Sequence, residues 1–246
     1  MPARARLPLL GIEIDPISLA DLLASFDRGL VVTPNVDHFM SLRENAAFRD
    51  VYRDAEFVVV DSRIVQASMA FLGRPVPEKI SGSDLLPAYY TYHATRGEKS
   101  LFILGGRPGV PEAAMVQINA KTSSHIVVGA HSPSMNFEND EAECRAVIQM
   151  IIASGANTLV ACLGSPKQEL WIHRHRAAMP SVTSFLAVGA AVDFEAGTQP
   201  RAPKWVSQAG LEWAFRLVRE PRRLWRRYLV RDPLFLWLVL RERLRQ

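Results

Sequence analysis

With 246 residues, 48% of them apolar and 22% charged, the chain has material for one sizeable core at the upper end of single-domain size. Its net charge of +4 divides unevenly: residues 201–246 hold 12 Lys/Arg against 4 Asp/Glu, a local +8 that leaves −4 for residues 1–200. Two cysteines exclude a disulfide framework and supply no metal-ligand spacing, and no run of ~18 apolar residues is present to form a membrane-spanning helix.

Arg4 and Arg6 precede an apolar run, Leu7 to Ile12, which Glu13 and Asp15 cut too short for a signal peptide. Weak alternation over 9–14 predicts one strand of a hairpin, followed by a helix over 19–26. From there short apolar runs alternate with segments of helical period. The runs are 30–32, 57–60, 101–104, 126–128, 159–163 and 185–188. They end, in order, at Thr33-Pro34-Asn35, Asp61, Gly105-Gly106, Gly129-Ala130-His131, Gly164-Ser165 and Gly189. Helices are predicted over 36–55, 84–95, 111–120, 141–154 and 167–178. Strands buried on both faces and alternating with helices predict an α/β fold, a Rossmann-like, doubly wound, mostly parallel sheet.

Gly197, Pro200 and Pro203 mark a break between this body and the C-terminal segment, giving a division into 1–198 and a basic helical appendage, 199–246. Four of the five tryptophans, Trp205, Trp213, Trp225 and Trp237, lie in the second part. Beyond Pro221, Leu224, Trp225, Tyr228 and Leu229 recur at helical spacing with Arg222, Arg223, Arg226 and Arg227 between them. A basic, tryptophan-rich amphipathic helix suits an anionic bilayer interface better than a duplex groove, so the expectation is membrane association without nucleic-acid binding. A solvated basic helix with its tryptophans on the body is the plainer alternative.

Ligands of open α/β sheets bind outside the carboxyl ends of the strands, which singles out the residues where the runs stop. Asp61 there is either a carboxylate tuned to accept a proton or the N-cap of a helix starting near Arg63, and spacing leaves both open. Gly105-Gly106-Arg-Pro-Gly109 can bring backbone close to a phosphate or ribose, although its spacing is not the dinucleotide fingerprint. Gly164-Ser-Pro-Lys-Gln-Glu169 opens a helix, with Lys167 available to a phosphate and Gln168 to a sugar, or with Ser165 as a simple cap. Cys162 reads as a small buried side chain. The six histidines form no metal site and no Asp-x-Asp is present, so a bound diphosphate would be met by arginines.

Thr33-Pro-Asn35, the strand ending in Asp61, Lys79-Ile-Ser81-Gly-Ser-Asp84, the Phe102 to Gly109 turn, Gly164 to Glu169, Val188 to Gly197, Arg201-Ala-Pro-Lys-Trp205 and Gly210-Leu-Glu-Trp213 through Arg227-Tyr228 occur in that order. The ordered set resembles the WecG/TagA/CpsF family, glycosyltransferase family 26, over roughly residues 9 to 230. The resemblance implies an inverting, metal-independent enzyme without a cofactor. It would move a sugar from a UDP-sugar to a polyprenyl-diphosphate-linked saccharide in bacterial surface-polysaccharide synthesis, from the cytoplasm at the inner face of the membrane.

By that likeness 1–198 is the nucleotide-sugar-binding catalytic domain and 199–246 associates with the membrane. Asp61 would be the general base; Thr33, Asn35, Lys79, Ser81 and Gln168 would line the sugar pocket. Gly105, Gly106, His131, Gly164, Lys167 and Asp193 would hold the nucleotide, and Arg216, Arg219, Arg223 and Arg227 the diphosphate. Ser62-Arg63 replaces the glycine common after the aspartate, Lys79 replaces an arginine, and the 131–137 loop differs from the wall teichoic acid branch. No relative's donor sugar is therefore carried over, and the oligomeric state, homo-oligomer included, stays open. The competing readings are a non-catalytic membrane-bound nucleotide-binding module and an NAD(P)-dependent oxidoreductase.

Overall fold

The computed structural model describes residues 5–200, 212–219, 221–226 and 231–245. It opens with the hairpin β1 (Leu7–Leu9) and β2 (Ile12–Ile14), paired antiparallel. Leu10 and Gly11 both take positive φ (47° and 87°), the two-residue turn whose twist matches that of the strands. Then come α1 (Leu19–Ser25), β3 (Gly29–Val32), α2 (Val36–Glu44), α3 (Ala46–Arg53), β4 (Phe57–Val58), α4 (Arg63–Phe71) and α5 (Gly82–Ala94). The second half runs β5 (Leu101–Gly105), α6 (Val110–Thr122), β6 (Val127–His131), α7 (Glu141–Ala153), β7 (Thr158–Cys162), α8 (Lys167–His175), β8 (Ser184–Ala187) and α9 (Ala191–Glu195). The last described helices are α10 (Glu212–Arg219), α11 (Pro221–Arg226) and α12 (Asp232–Arg243).

The six longer-range strands form one sheet in the order β4-β3-β8-β7-β5-β6, every pairing parallel, in keeping with a Rossmann-like core. Successive side chains point to opposite faces, and the core divides accordingly. Leu30, Val32, Phe102, Leu104, Leu159, Ala161 and Phe185 pack with α2, α3, α7 and α8, whereas Val31, Leu101, Ile103, Val160 and Leu186 pack with α1, α5, α6 and α9. This is why the inner strands read as unbroken apolar runs: neither of their faces meets water, whereas the edge strand β6 exposes Val128.

The predicted helix over 36–55 is two helices. Asn45 stands between them with extended backbone (φ −123°, ψ 106°), and its side chain accepts the Phe48 N–H at 3.0 Å, capping α3. Asparagine's short amide competes with the helix ladder here, and the apolar period running on through 55 concealed the corner. His131 ends β6 as its last strand residue rather than beyond the strand, because β5 pairs with β6 as far as Leu104 opposite His131.

Part of the basic C-terminal segment packs on the body. In α12, Phe235 and Val239 are buried, and the Phe235 ring lies 5.4 Å from that of Phe39 on α2. Arg231 reaches Asp37 at 3.3 Å and Glu44 at 3.7 Å, while Glu242 accepts the Leu10 N–H at 2.9 Å and pairs with Arg74. The other side of α12 exposes Leu236, Trp237 and Leu240, with the Arg241 guanidinium 5.5 Å from the Trp237 ring. No helix among the described residues is long and apolar enough to cross a membrane.

Candidate active site

At the carboxyl ends of β5 to β8 the chain departs in opposite directions. It leaves β5 and β8 for the face holding α6 and α9, and β7 for the face holding α8. The parted loops leave a cleft of about 630 Å³, the location expected for a ligand in an open α/β sheet. Of the nucleotide candidates, Gly106, Gly164, Lys167 and Asp193 line this cleft together, joined by Cys162 and the Gly189–Ala190 turn.

Gly105 lies behind the cleft and His131 is outside its lining. Gly105 has φ +109°, and a Cβ there would sit 2.6 Å from the Cys162 carbonyl oxygen, so the glycine lets β5 end tight against β7. The next residue, Gly106, donates its N–H to that same carbonyl at 3.1 Å and accepts the Ser132 hydroxyl at 2.7 Å. Lys167 is paired with Glu138 at 2.9 Å. Asp193 faces Arg107 at 4.0 Å, and its carbonyl accepts the N–H groups of Thr198 and Gln199, which curls the chain back over the cleft.

Asp61 follows β4 on the same edge of the sheet, with β3 between it and β8. Its N–H donates to the Pro34 carbonyl at 3.1 Å, and its Oδ2 accepts from the Asn35 side-chain amide at 3.3 Å. The helix-capping alternative falls to Ser62, whose hydroxyl accepts the Val65 N–H at 3.2 Å at the start of α4. Asn35 itself caps α2, accepting from the N–H groups of Asp37 (3.0 Å) and His38 (3.4 Å). Thr33 is buried at the end of β3.

Lys79 and Ser81 form a compact cluster at the start of α5, where Lys79 Nζ and the Ser81 hydroxyl both reach Asp84 Oδ2, at 2.7 and 2.5 Å. The Ile80 N–H, 2.7 Å from the Val60 carbonyl, keeps this cluster beside the β4 end. Gln168 is buried, with both ends of its amide engaged: Oε1 accepts the Gly189 N–H at 3.2 Å and Nε2 donates to Glu169 Oε1 at 2.9 Å. Ser165 does not cap α8: the N-cap position is Pro166, which has no side-chain oxygen to offer the first turn, and Ser165 is exposed one residue before it.

Three residues that sequence reasoning passed over complete this region. His38, Glu169 and Tyr52 are buried, and His38 Nε2 lies 3.4 Å from Glu169 Oε1. Burial, and then the negative charges of Glu169 and Asp61, hold the Tyr52 hydroxyl well above the usual phenol range. Asn35 and His38, three apart, form a capping box with histidine where glutamate or glutamine is usual, which was the available signal in the sequence.

On the cleft floor, burial pushes the Cys162 thiol up to about 12. The neutral thiol is therefore the folded form at pH 8, and native protein is expected to leave Cys162 unmodified by a thiol-reactive disulfide reagent that titrates it after unfolding. A thiol pKa raised on folding supports stability fully below about pH 9, and that support drains away as pH climbs toward 12.

Arg216 and Arg219 fall on α10 and Arg223 on α11, while Arg227 lies outside the described residues. No group of three His, Cys, Asp or Glu side chains suited to a metal ion occurs among the described residues. A carboxylate just past β4, on the same edge of the sheet as a cleft built from glycine turns, is suited to accepting a proton from a hydroxyl. The family model described as glycosyl transferase WecG/TagA/CpsF matches residues 7–246, and the chain belongs to that family of glycosyltransferases.

Proposed function

We propose that the protein is an inverting glycosyltransferase that takes a sugar from a UDP-sugar and places it on a polyprenyl-diphosphate-linked saccharide, in bacterial surface-polysaccharide assembly. The observation that carries this reading is that the 630 Å³ cleft and the Asp61–Asn35 pair stand on the carboxyl edge of one sheet, with Asn35 following β3, the strand that pairs with β8, in a chain of this family. UDP occupies the cleft, with its base toward Asp193 and its phosphates toward the glycine turns. Asp61 accepts the proton of the acceptor hydroxyl. The hydroxyl oxygen then attacks the anomeric carbon from the side opposite UDP, the bond to the UDP oxygen breaks, and the configuration inverts.

Negative charge grows on the departing UDP and needs oriented cationic donors. Arg216, Arg219, Arg223 and Arg227 supply them without a metal ion, since a guanidinium matches a phosphate in two-point fashion. The basic segment and the exposed Leu236, Trp237 and Leu240 side of α12 dock on the anionic cytoplasmic face of the membrane, so the arginines reach the site where the lipid acceptor resides. The body over 1–198 binds the donor and 199–246 serves as the membrane-associating part.

The test is a panel of UDP-sugars offered with one synthetic polyprenyl-diphosphate-linked acceptor, alongside UDP titration calorimetry. Turnover of one donor with inversion is expected. UDP binding without turnover of any donor would favour a nucleotide-sensing module, and binding of NAD(P) in place of UDP an oxidoreductase.

A further inference from the structure

We propose that His38 and Glu169 are positioning residues for Asp61: together they fix Asn35, and through it the carboxylate, against the turn that lines the nucleotide cleft. The proposal rests on the reading of Asp61 as the base.

Hydrogen bonds of consistent polarity make up this line on either side of the His38–Glu169 contact. The Gly189 N–H donates to Gln168 Oε1 (3.2 Å), and Gln168 Nε2 donates to Glu169 Oε1 (2.9 Å). On the other side, the Asn35 N–H donates to His38 Nδ1 at 3.2 Å. An imidazole whose Nδ1 accepts carries its proton on Nε2 when neutral, and Nε2 is the atom facing Glu169 Oε1 at 3.4 Å. Asn35 Oδ1 is held by two N–H groups at the start of α2, which settles the orientation of its amide and turns Nδ2 to Asp61.

The line therefore ties together the ends of β3, β4, β7 and β8, four segments brought together by the sheet. Glu169 is 1% exposed and His38 9%. His38 and Gln168 both meet Glu169 at Oε1, while Oε2 is buried without a hydrogen-bond partner among the described residues, so the buried carboxylate depends on these two groups. Helix capping alone needs neither a histidine nor a buried glutamate, because a glutamine at 38 would accept the Asn35 N–H equally well. What histidine adds is a second, rigidly opposed nitrogen that reaches across to α8.

Two measurements test this. Nitrogen NMR of histidine-labelled protein should show His38 with a bare Nδ1 and a protonated Nε2; the opposite tautomer overturns the polarity. In sugar transfer from whichever UDP-sugar the panel identifies, Glu169→Leu and His38→Leu should each lower kcat by about 10- to 100-fold, the scale of a base displaced by a fraction of an ångström. UDP affinity by calorimetry should stay within about twofold of wild type. His38→Gln, which restores the acceptor for Asn35 but not the reach to Glu169, should fall between wild type and His38→Leu.

Unchanged kcat in both Glu169→Leu and His38→Leu overturns the proposal. So does loss of UDP affinity in step with kcat, which would mark a general packing role. If Glu169→Leu does not fold, the His38 pair of variants still decides. A wild-type chain that turns over no UDP-sugar would instead sink the functional reading on which the proposal stands.

Discussion

Replacing Asp61 with Asn is expected to lower sugar transfer by roughly 10²- to 10⁴-fold, the range a positioned general base contributes. The substitution keeps size and shape and leaves an oxygen to accept from the Asn35 amide, now at 3.3 Å from Asp61 Oδ2. Because Ser62 performs the capping of α4, the fold loses no helix start, and the melting temperature should move little. UDP affinity should be unchanged, since Asp61 is absent from the cleft lining. The informative pattern is a large fall in kcat with UDP binding intact, measured by single-donor kinetics and calorimetry. Wild-type turnover by Asp61→Asn would remove Asp61 from the mechanism.

Phe235→Ala is expected to destabilise the protein by about 3–5 kcal/mol, the usual loss for a fully buried phenylalanine. The ring is 0% exposed and packs on Phe39 of α2, so truncation leaves a void between the C-terminal helix and the body. Its neighbour Leu236, on the exposed side of the same helix, provides the control: Leu236→Ala should shift stability by under about 1 kcal/mol. Urea unfolding followed by tryptophan fluorescence would measure both. Equal, small effects would mean that α12 contributes nothing to the stability of the body. A large effect confined to Phe235 has a further consequence. Because Asn35, the partner of Asp61, caps α2, a loosened α12 would reach the candidate base through the helix it buttresses.

Much of the site was legible before the fold was known. Apolar runs stopping at Asn35, Asp61, Gly106, Gly164 and Gly189 marked the strand ends, since a strand buried on both faces must end where polar or flexible residues begin. Gly106, Gly164, Lys167 and Asp193 do meet in one cleft. Gln168 illustrates the limit. Its place in the first turn of α8 was readable, but whether its amide faces a ligand or the protein depends on the 189 turn, 21 residues later, which takes up its oxygen.

The sequence by itself determined the alternation of strands and helices, the glycine turns and, through an asparagine amide that the apolar period masked, the break at Asn45. These come from local forces: side-chain period, backbone freedom and capping. Only the tertiary structure decided the strand order, the meeting of His38 with Glu169 and the docking of Phe235 on Phe39. Each joins residues far apart in the chain, or strands whose neighbours no local pattern encodes. Such contacts form because burial on two faces of one sheet leaves few places for a charge or a ring to go, and that constraint exists only once the sheet does.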